Sequence, residues 1–149
     1  MQSAVSDTPT RTLFVFIAIL SILGVILSAV SLQRHYAKSD TNFCDFSQKF
    51  SCDIVNRSEY SEVAGIPVAG IGVAGYIALF LFSTLWKSRS QTPTRLLVAA
   101  AAGLLFALYL TYVEAYELKT WCILCLASQL VIFLITVAAA VVRLRFARG

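Results

Sequence analysis

Residues 13–32 read LFVFIAILSILGVILSAVSL, a run of 20 positions without a charged side chain. A helix rises about 1.5 Å per residue, so about 20 apolar residues cross the roughly 30 Å hydrocarbon core of a bilayer. Arg11 before the run and the small residues Ala29 and Ser31 near its end are also features of a cleaved signal peptide. The apolar core is longer than the roughly 7–15 residues of such a peptide, so we expect a retained transmembrane helix.

Three more apolar segments have the length of a transmembrane helix, over about residues 67–86, 96–116 and 121–142. The whole chain is 58% hydrophobic and 13% charged, with a mean hydropathy of +0.78, far more apolar than a soluble domain. We therefore predict an all-α membrane protein. Its four transmembrane helices would form a bundle and a single domain over residues 1–149, with a long outer loop between helices 1 and 2. Any soluble partner is then a separate polypeptide.

The distribution of Lys and Arg predicts the orientation in the membrane. Two basic segments without acids follow the second and fourth apolar runs, with Lys87, Arg89 and Arg95 in one and Arg143, Arg145 and Arg148 in the other. Such segments stay in the cytoplasm. The loop over about residues 33–66 carries both signs, so we place it outside, with both termini cytoplasmic and all four cysteines at the outer, periplasmic face. The net charge of +4 follows from this topology and does not indicate a nucleic-acid partner.

Cys122 and Cys125 form a Cys-Ile-Leu-Cys motif where a polar segment turns into the fourth apolar run. Residues three apart share a helix face with Cα atoms about 5–6 Å apart, which a disulfide accepts. The positive end of the helix dipole, with Thr120 as a candidate cap, favours the thiolate of Cys122. Cys125 lies one turn deeper, within reach of an apolar substrate. Zinc would need two more ligands from the loop cysteines or His35, without the usual spacing, so we predict no metal.

Cys44 and Cys52 lie in the long loop. A continuous helix would hold them about 12 Å apart, beyond the limit of about 7 Å for a disulfide. They therefore either pair across a bend or act separately, one facing solvent and the other the Cys-x-x-Cys motif. A static structural disulfide is the alternative to a redox role, and the outer compartment permits either.

The third apolar segment carries further candidate residues. Tyr109, Tyr112 and Tyr116 share one helix face, so they either line a pocket or belong to the interfacial aromatic belt. Glu114 is an acid in the outer part of the segment, and acids at membrane depth are candidate functional residues. Small residues also recur at four-residue spacing, at Ala99, Gly103 and Ala107. This spacing predicts close packing between helices.

The cysteines belong to a longer pattern. In order, the chain contains Cys44-Asp45, Cys52, Ser58, Gly65-Ile66-Pro67 before a glycine-rich helix with Tyr76, and Trp121-Cys122-Ile123-Leu124-Cys125. Over about residues 10–145 this pattern resembles the vitamin K epoxide reductase (VKOR) family. The resemblance implies a four-helix bundle around a quinone.

The resemblance also implies a role for each cysteine. The position that matches Cys125 reacts with the quinone, and the position that matches Cys122 exchanges with a loop cysteine, here Cys52. Cys44 then takes electrons from a thioredoxin-like or DsbA-like thiol protein. The resemblance therefore implies that the four cysteines are the catalytic residues.

The candidate quinone-binding residues are Ser58, Tyr112, Tyr116 and Gln129. Ser58 matches a loop position near the site in the family. Gln129 stands where animal members that reduce vitamin K epoxide carry a tyrosine, and Val68 is the approximate counterpart of their asparagine. These two departures disfavour vitamin K epoxide as the substrate. The Gly65-Ile66-Pro67-Val68 run is similar to bacterial and archaeal members, some of which resemble functional counterparts of the disulfide bond protein B oxidase. We expect a member without a fused thioredoxin domain.

Together these features predict a quinone-dependent thiol–disulfide oxidoreductase of a bacterial or archaeal cytoplasmic membrane. Electrons would pass from the partner protein through Cys44/Cys52 and Cys122/Cys125 to a ubiquinone, menaquinone or vitamin K type quinone, supporting disulfide bond formation. Two alternatives stay open: a vitamin K epoxide or quinone reductase proper, and a non-catalytic four-span protein with a structural disulfide. The spans lack midplane charges, which disfavours a transporter.

Overall fold

The structure is a computed structural model that describes residues 8–36, 62–63, 65–85, 91–118 and 123–148. The described elements, in chain order, are α1 (Thr8–Tyr36), β1 (Glu62–Val63), β2 (Ile66–Pro67), α2 (Val68–Thr84), α3 (Thr92–Tyr112), a π-helix (Val113–Leu118) and α4 (Ile123–Arg148). Three of these helical segments are long and apolar enough to cross a membrane: α1, α3 with its π-helical continuation, and α4. α2 is a shorter apolar helix of 17 residues.

α1, α3 and α4 extend past the predicted apolar runs, because a helix does not have to end where the hydrocarbon begins, whereas α2 lies within the run predicted over about residues 67–86. α3 begins at Thr92 rather than near residue 96, since Pro93 in its first turn needs no partner for a backbone N–H. α4 continues far enough to place Arg145 and Arg148 in its last turn, where positive charge opposes the negative end of the helix dipole. Each predicted span therefore corresponds to a helix.

A short hairpin leads into α2. β1 and β2 pair antiparallel, with Glu62 opposite Pro67, so Pro67 belongs to the hairpin and not to the helix. Gly65 in the turn has φ of 81°, a left-handed conformation that glycine adopts without strain. Most of the predicted outer loop, residues 37–61, lies outside the described residues.

The helices pack unevenly around the core. α1 packs on α2 and α4, and α4 packs on α3, whereas α2 and α3 contact each other sparsely. The fully buried apolar side chains at the centre include Ile17, Leu96, Ile135 and Val142. Large apolar side chains also cover the outside, as with Leu105, which is 68% exposed. A surface of this kind suits lipid contact, and the sparse contact between α2 and α3 leaves space inside the bundle.

Candidate functional site

A partly open cavity of about 410 Å³ lies among the helices, where α2 and α3 contact each other sparsely. All four described α-helices and the π-helix contribute to its wall. Most of the wall is apolar. The polar groups on it are Ser28, Ser31, Tyr76, Thr111, Glu114, Cys125 and Ser128. An apolar cavity with a few polar groups is the usual form of a binding site for a small apolar molecule.

Cys125 lies in the first turn of α4, on the cavity wall. Its side chain is half-buried, and it is a free thiol among the described residues. The sequence predicts that this cysteine is within reach of an apolar substrate, and in the structure it lines a mostly apolar cavity. A molecule in the cavity would therefore meet a thiol at the end of the bundle where α4 begins.

Tyr76 links α2 to α4 at the cavity wall. Its ring is buried, and its hydroxyl donates a hydrogen bond to the carbonyl oxygen of Ser128 over 2.8 Å. The Ser128 hydroxyl also lies 2.8 Å from the Tyr76 hydroxyl, where either oxygen can donate. The ring lies against Gly24 of α1, where a methyl group would overlap ring atoms Cδ1, Cε1 and Cγ. Three helices thus meet at one tyrosine.

Glu114 lies in the π-helix and is one of the residues that line the cavity. The residue is only 2% exposed, whereas Glu117 in the same segment is exposed. π-helical turns are rare and frequently occur at functional sites. A buried carboxyl is costly within a membrane span, so its position supports the prediction that Glu114 is a functional candidate.

The predicted quinone-binding residues lie at different places. The rings of Tyr112 and Tyr116 are 56% and 68% exposed, with their centroids 4.9 Å apart, and neither residue lines the cavity. Gln129 is half-buried on α4 and accepts a hydrogen bond through Oε1 from the hydroxyl of Thr111, which does line the cavity. Ser58 lies outside the described residues.

Three of the four predicted catalytic residues, Cys44, Cys52 and Cys122, also lie outside the described residues. The structure therefore brings Cys125 to the cavity and leaves the arrangement of the other three as a prediction. Within the described part of the chain, no group of three or more His, Cys, Asp and Glu residues is arranged to hold a metal ion.

The stripe of small residues on α3 has two roles. A Cβ atom at Gly103 would lie 3.3 Å from Cδ1 of Ile132, so this glycine permits the close helix packing that the spacing predicts. Ala99, Gly103 and Ala107 also line the cavity. The spacing of these small residues predicts helix packing but not their place on the cavity wall. The sequence also gives no indication that Ser28, Thr111 and Ser128 line a cavity. Single hydroxyl residues in apolar helices carry no signal that distinguishes a cavity from any other helix contact.

Comparison with protein families adds one finding to this geometry. A family model described as "Vitamin K epoxide reductase family" matches residues 15–140. The matched range begins within α1, ends within α4 and contains all four cysteines.

Proposed function

This chain belongs to the vitamin K epoxide reductase family, and we propose that it is a membrane enzyme that transfers electrons from protein thiols to a quinone. Members of the family are oxidoreductases, and the apolar helices fit an integral membrane protein. In the proposed reaction a thioredoxin-like or DsbA-like protein reduces a Cys44–Cys52 disulfide. The loop dithiol then reduces Cys122–Cys125, which passes two electrons to the quinone.

The position of Cys125 on the wall of an apolar cavity is the observation that carries this proposal. The volume of about 410 Å³ falls within the roughly 300–1,000 Å³ of typical small-molecule sites. A quinone ring is flat and apolar with an oxygen at each end, so the apolar wall with its few hydroxyls fits it. The quinone supplies a two-electron acceptor that dissolves in the membrane.

Hydroxyl groups on the cavity wall would orient the quinone oxygens by exchanging their hydrogen bonds within the protein for one to the quinone. Tyr76, Ser128 and Thr111 present hydroxyls on the wall. Of the binding candidates from the sequence, Gln129 contacts a wall residue through its side chain, because its Oε1 accepts a hydrogen bond from the Thr111 hydroxyl. The exposed rings of Tyr112 and Tyr116 suit the other role considered for them, in the interfacial aromatic belt.

We also propose that the chain crosses the membrane four times as a single domain, with the thiols outside and both termini in the cytoplasm. Cys125 and Arg145 are 20 residues apart on α4, which corresponds to about 30 Å, the thickness of the hydrocarbon core. The thiol and the basic end of α4 would then lie at opposite membrane surfaces. α2, with 17 residues and no charge, reaches about 26 Å, which is the short end of the range for a spanning helix.

The difference in reduction potential between the protein thiols and the quinone determines the direction of electron transfer. For a two-electron transfer, each 30 mV of potential difference corresponds to about 1.4 kcal/mol. A quinone with a higher potential than the thiols makes the flow from protein dithiol to quinone favourable. The outcome for the partner is a new disulfide, so the enzyme would support disulfide bond formation.

The test is quinone reduction by the purified full chain in lipid nanodiscs, followed through the absorbance of a short-chain ubiquinone analogue. A reduced thioredoxin-like protein and dithiothreitol serve as alternative electron donors. We expect Cys125→Ala to abolish turnover with both donors. Cys44→Ala should abolish turnover with the protein donor and retain it with dithiothreitol, because a small dithiol can reach the inner pair directly.

Leu130→Ala is the matched control on α4, since Leu130 is 59% exposed and lies outside the cavity wall. It should retain the wild-type rate with both donors. Undiminished turnover in Cys125→Ala would overturn the relay and favour a structural role for the cysteines.

A further inference from the structure

The buried carboxyl of Glu114 shares the cavity wall with Cys125 and takes no part in the electron relay described above. Resting on the proposed quinone reduction, we propose that Glu114 is the acid–base residue that carries protons from the thiols to the quinone oxygens. Three observations support this role: Glu114 is buried, it lines the cavity, and it lies at the same end of the bundle as Cys125.

The reaction requires proton transfer as well as electron transfer. Oxidation of two thiols to a disulfide breaks two S–H bonds, forms one S–S bond and releases two electrons and two protons. Reduction of a quinone to a quinol takes up two electrons and forms two O–H bonds. Glu114 accepts a thiol proton and donates it to a quinone oxygen, once for each thiol. The sum balances without a further reagent.

Glu114 and Cys125 lie at the same end of the bundle. The π-helix that holds Glu114 ends at Leu118, and α4 begins at Ile123 with Cys125 in its first turn. The cavity reaches both side chains. A molecule in this cavity is therefore enclosed by a wall to which both residues contribute.

The other cavity-facing groups are poor proton carriers. α1 contributes only the hydroxyls of Ser28 and Ser31 to the polar wall, and α3 contributes Thr111. From α2 comes Tyr76, whose hydroxyl already donates to the Ser128 carbonyl. Serine, threonine and tyrosine hydroxyls do not release protons readily near neutral pH, whereas a carboxyl does.

The titratable groups on the wall are thus Glu114, Cys125 and Tyr76, and the described wall contains no Lys, Arg or His. Of these, Cys125 is a proton source in the reaction and Tyr76 has the structural role of joining α2 to α4. Removing a carboxyl from water is costly, so a hydrophobic residue would be the cheaper choice for wall packing alone. Glu114 is therefore the group on the described wall whose chemistry suits proton transfer to the quinone.

The experiment compares Glu114→Gln with Glu117→Gln. Both residues lie in the π-helix and both changes remove one carboxyl of the same size, but Glu117 is exposed and outside the cavity wall. The pre-reduced full chain in nanodiscs is mixed with the short-chain ubiquinone analogue, and the single-turnover rate of quinone loss is measured over a range of quinone concentrations. This design separates quinone binding from the chemical step.

We expect Glu114→Gln to slow the single-turnover rate by about 10²–10⁴-fold, the usual contribution of a general acid–base residue. The quinone concentration for half-maximal rate should change little, and Glu117→Gln should leave both quantities within about twofold of wild type. A Glu114→Gln rate equal to that of Glu117→Gln would overturn the proposal. So would a change confined to quinone affinity, which indicates a wall residue without a proton-transfer role.

A second pair of variants covers the case in which Glu114→Gln does not fold. The side chains that Glu114→Asp and Glu114→Asn introduce have nearly the same shape, and only the side chain of Glu114→Asp has a carboxyl group. The aspartate should be faster than the asparagine by at least about tenfold, and equal rates would refute proton transfer by residue 114. Wild-type and Cys125→Ala samples distinguish the two proposals: an inactive wild type, or an active Cys125→Ala, overturns quinone reduction itself. An active wild type with an unaffected Glu114→Gln overturns only the role of Glu114.

Discussion

Gly24→Ala should weaken the bundle by displacing Tyr76. The added methyl group would overlap three ring atoms of Tyr76, and the farthest of them, Cγ, would be only 2.6 Å away. These atoms belong to the body of the ring rather than to the end of a flexible side chain. The ring is also buried and held at its hydroxyl by Ser128, so it cannot move aside freely.

The magnitude follows from two contributions. Overpacking of a tight helix contact costs about 1–3 kcal/mol, and loss of a hydrogen bond between membrane helices costs about 0.6 kcal/mol. The better helix propensity of alanine offsets about 0.5–1 kcal/mol of this sum. We therefore expect a net decrease in the free energy of unfolding of about 1–3 kcal/mol.

The assay is unfolding of the purified full chain in mixed micelles by titration with sodium dodecyl sulfate, followed by circular dichroism. Gly70→Ala is the matched control, because a Cβ atom there would lie 3.9 Å from Cδ1 of Leu32, which is ordinary contact. This control should be neutral or more stable than wild type. It therefore measures the change in helix propensity without the steric clash.

A double-mutant cycle then identifies the cause. In a Tyr76→Ala background the added methyl group has no ring to displace, so Gly24→Ala should cost nothing or stabilise the protein by about 0.5–1 kcal/mol. An equal cost of Gly24→Ala in the two backgrounds would refute the reasoning, since the ring would not then be the source of the strain. A wild-type stability in Gly24→Ala would refute it as well.

Two further predictions concern the other notable glycines. Gly65→Ala should destabilise the hairpin by about 1–2 kcal/mol, because φ of 81° is unfavourable for a residue with a Cβ atom, and within the described residues no atom lies close enough to cause a clash. Hydrogen exchange of the Val63 and Ile66 amides should accelerate about 5–30-fold, and unchanged exchange would contradict the backbone argument. Gly75→Leu should fill part of the cavity, since Gly75 lines it and a Cβ atom there would meet no atom of the described part of the chain within 4 Å. Quinone turnover should fall at least about tenfold with little change in stability, and full activity would show that the quinone binds elsewhere.

The number and place of the helices could be predicted from the sequence because the membrane restricts the choice. A spanning segment must satisfy its backbone hydrogen bonds internally and must be long enough to cross, so an uninterrupted apolar run is read as a helix. A position for Cys125 near the beginning of the fourth helix is likewise predicted from the sequence, one turn deeper than Cys122, and the structure has Cys125 in the first turn of α4. Both inferences depend on local properties of the chain.

The orientation of each helix could not be predicted in the same way. The spacing of Tyr112 and Tyr116 places them on one face, yet a pocket-lining face and a lipid-facing face have the same spacing. The structure turns both rings outward. Glu114 and Glu117 are equally acidic and close in sequence, and only the packing of the π-helix buries the first and exposes the second.

The sequence by itself therefore determined four apolar helices, the position of a thiol at the start of the last one, and a resemblance to a redox family that comparison confirmed. Only the tertiary structure decided that Tyr76 lies on Gly24 and binds Ser128, and that Glu114 and Cys125 share one cavity. The physical reason is that lipid and the bundle interior are similarly apolar. Hydrophobic periodicity then does not mark the inward face of a helix, and the contacts among helices select it.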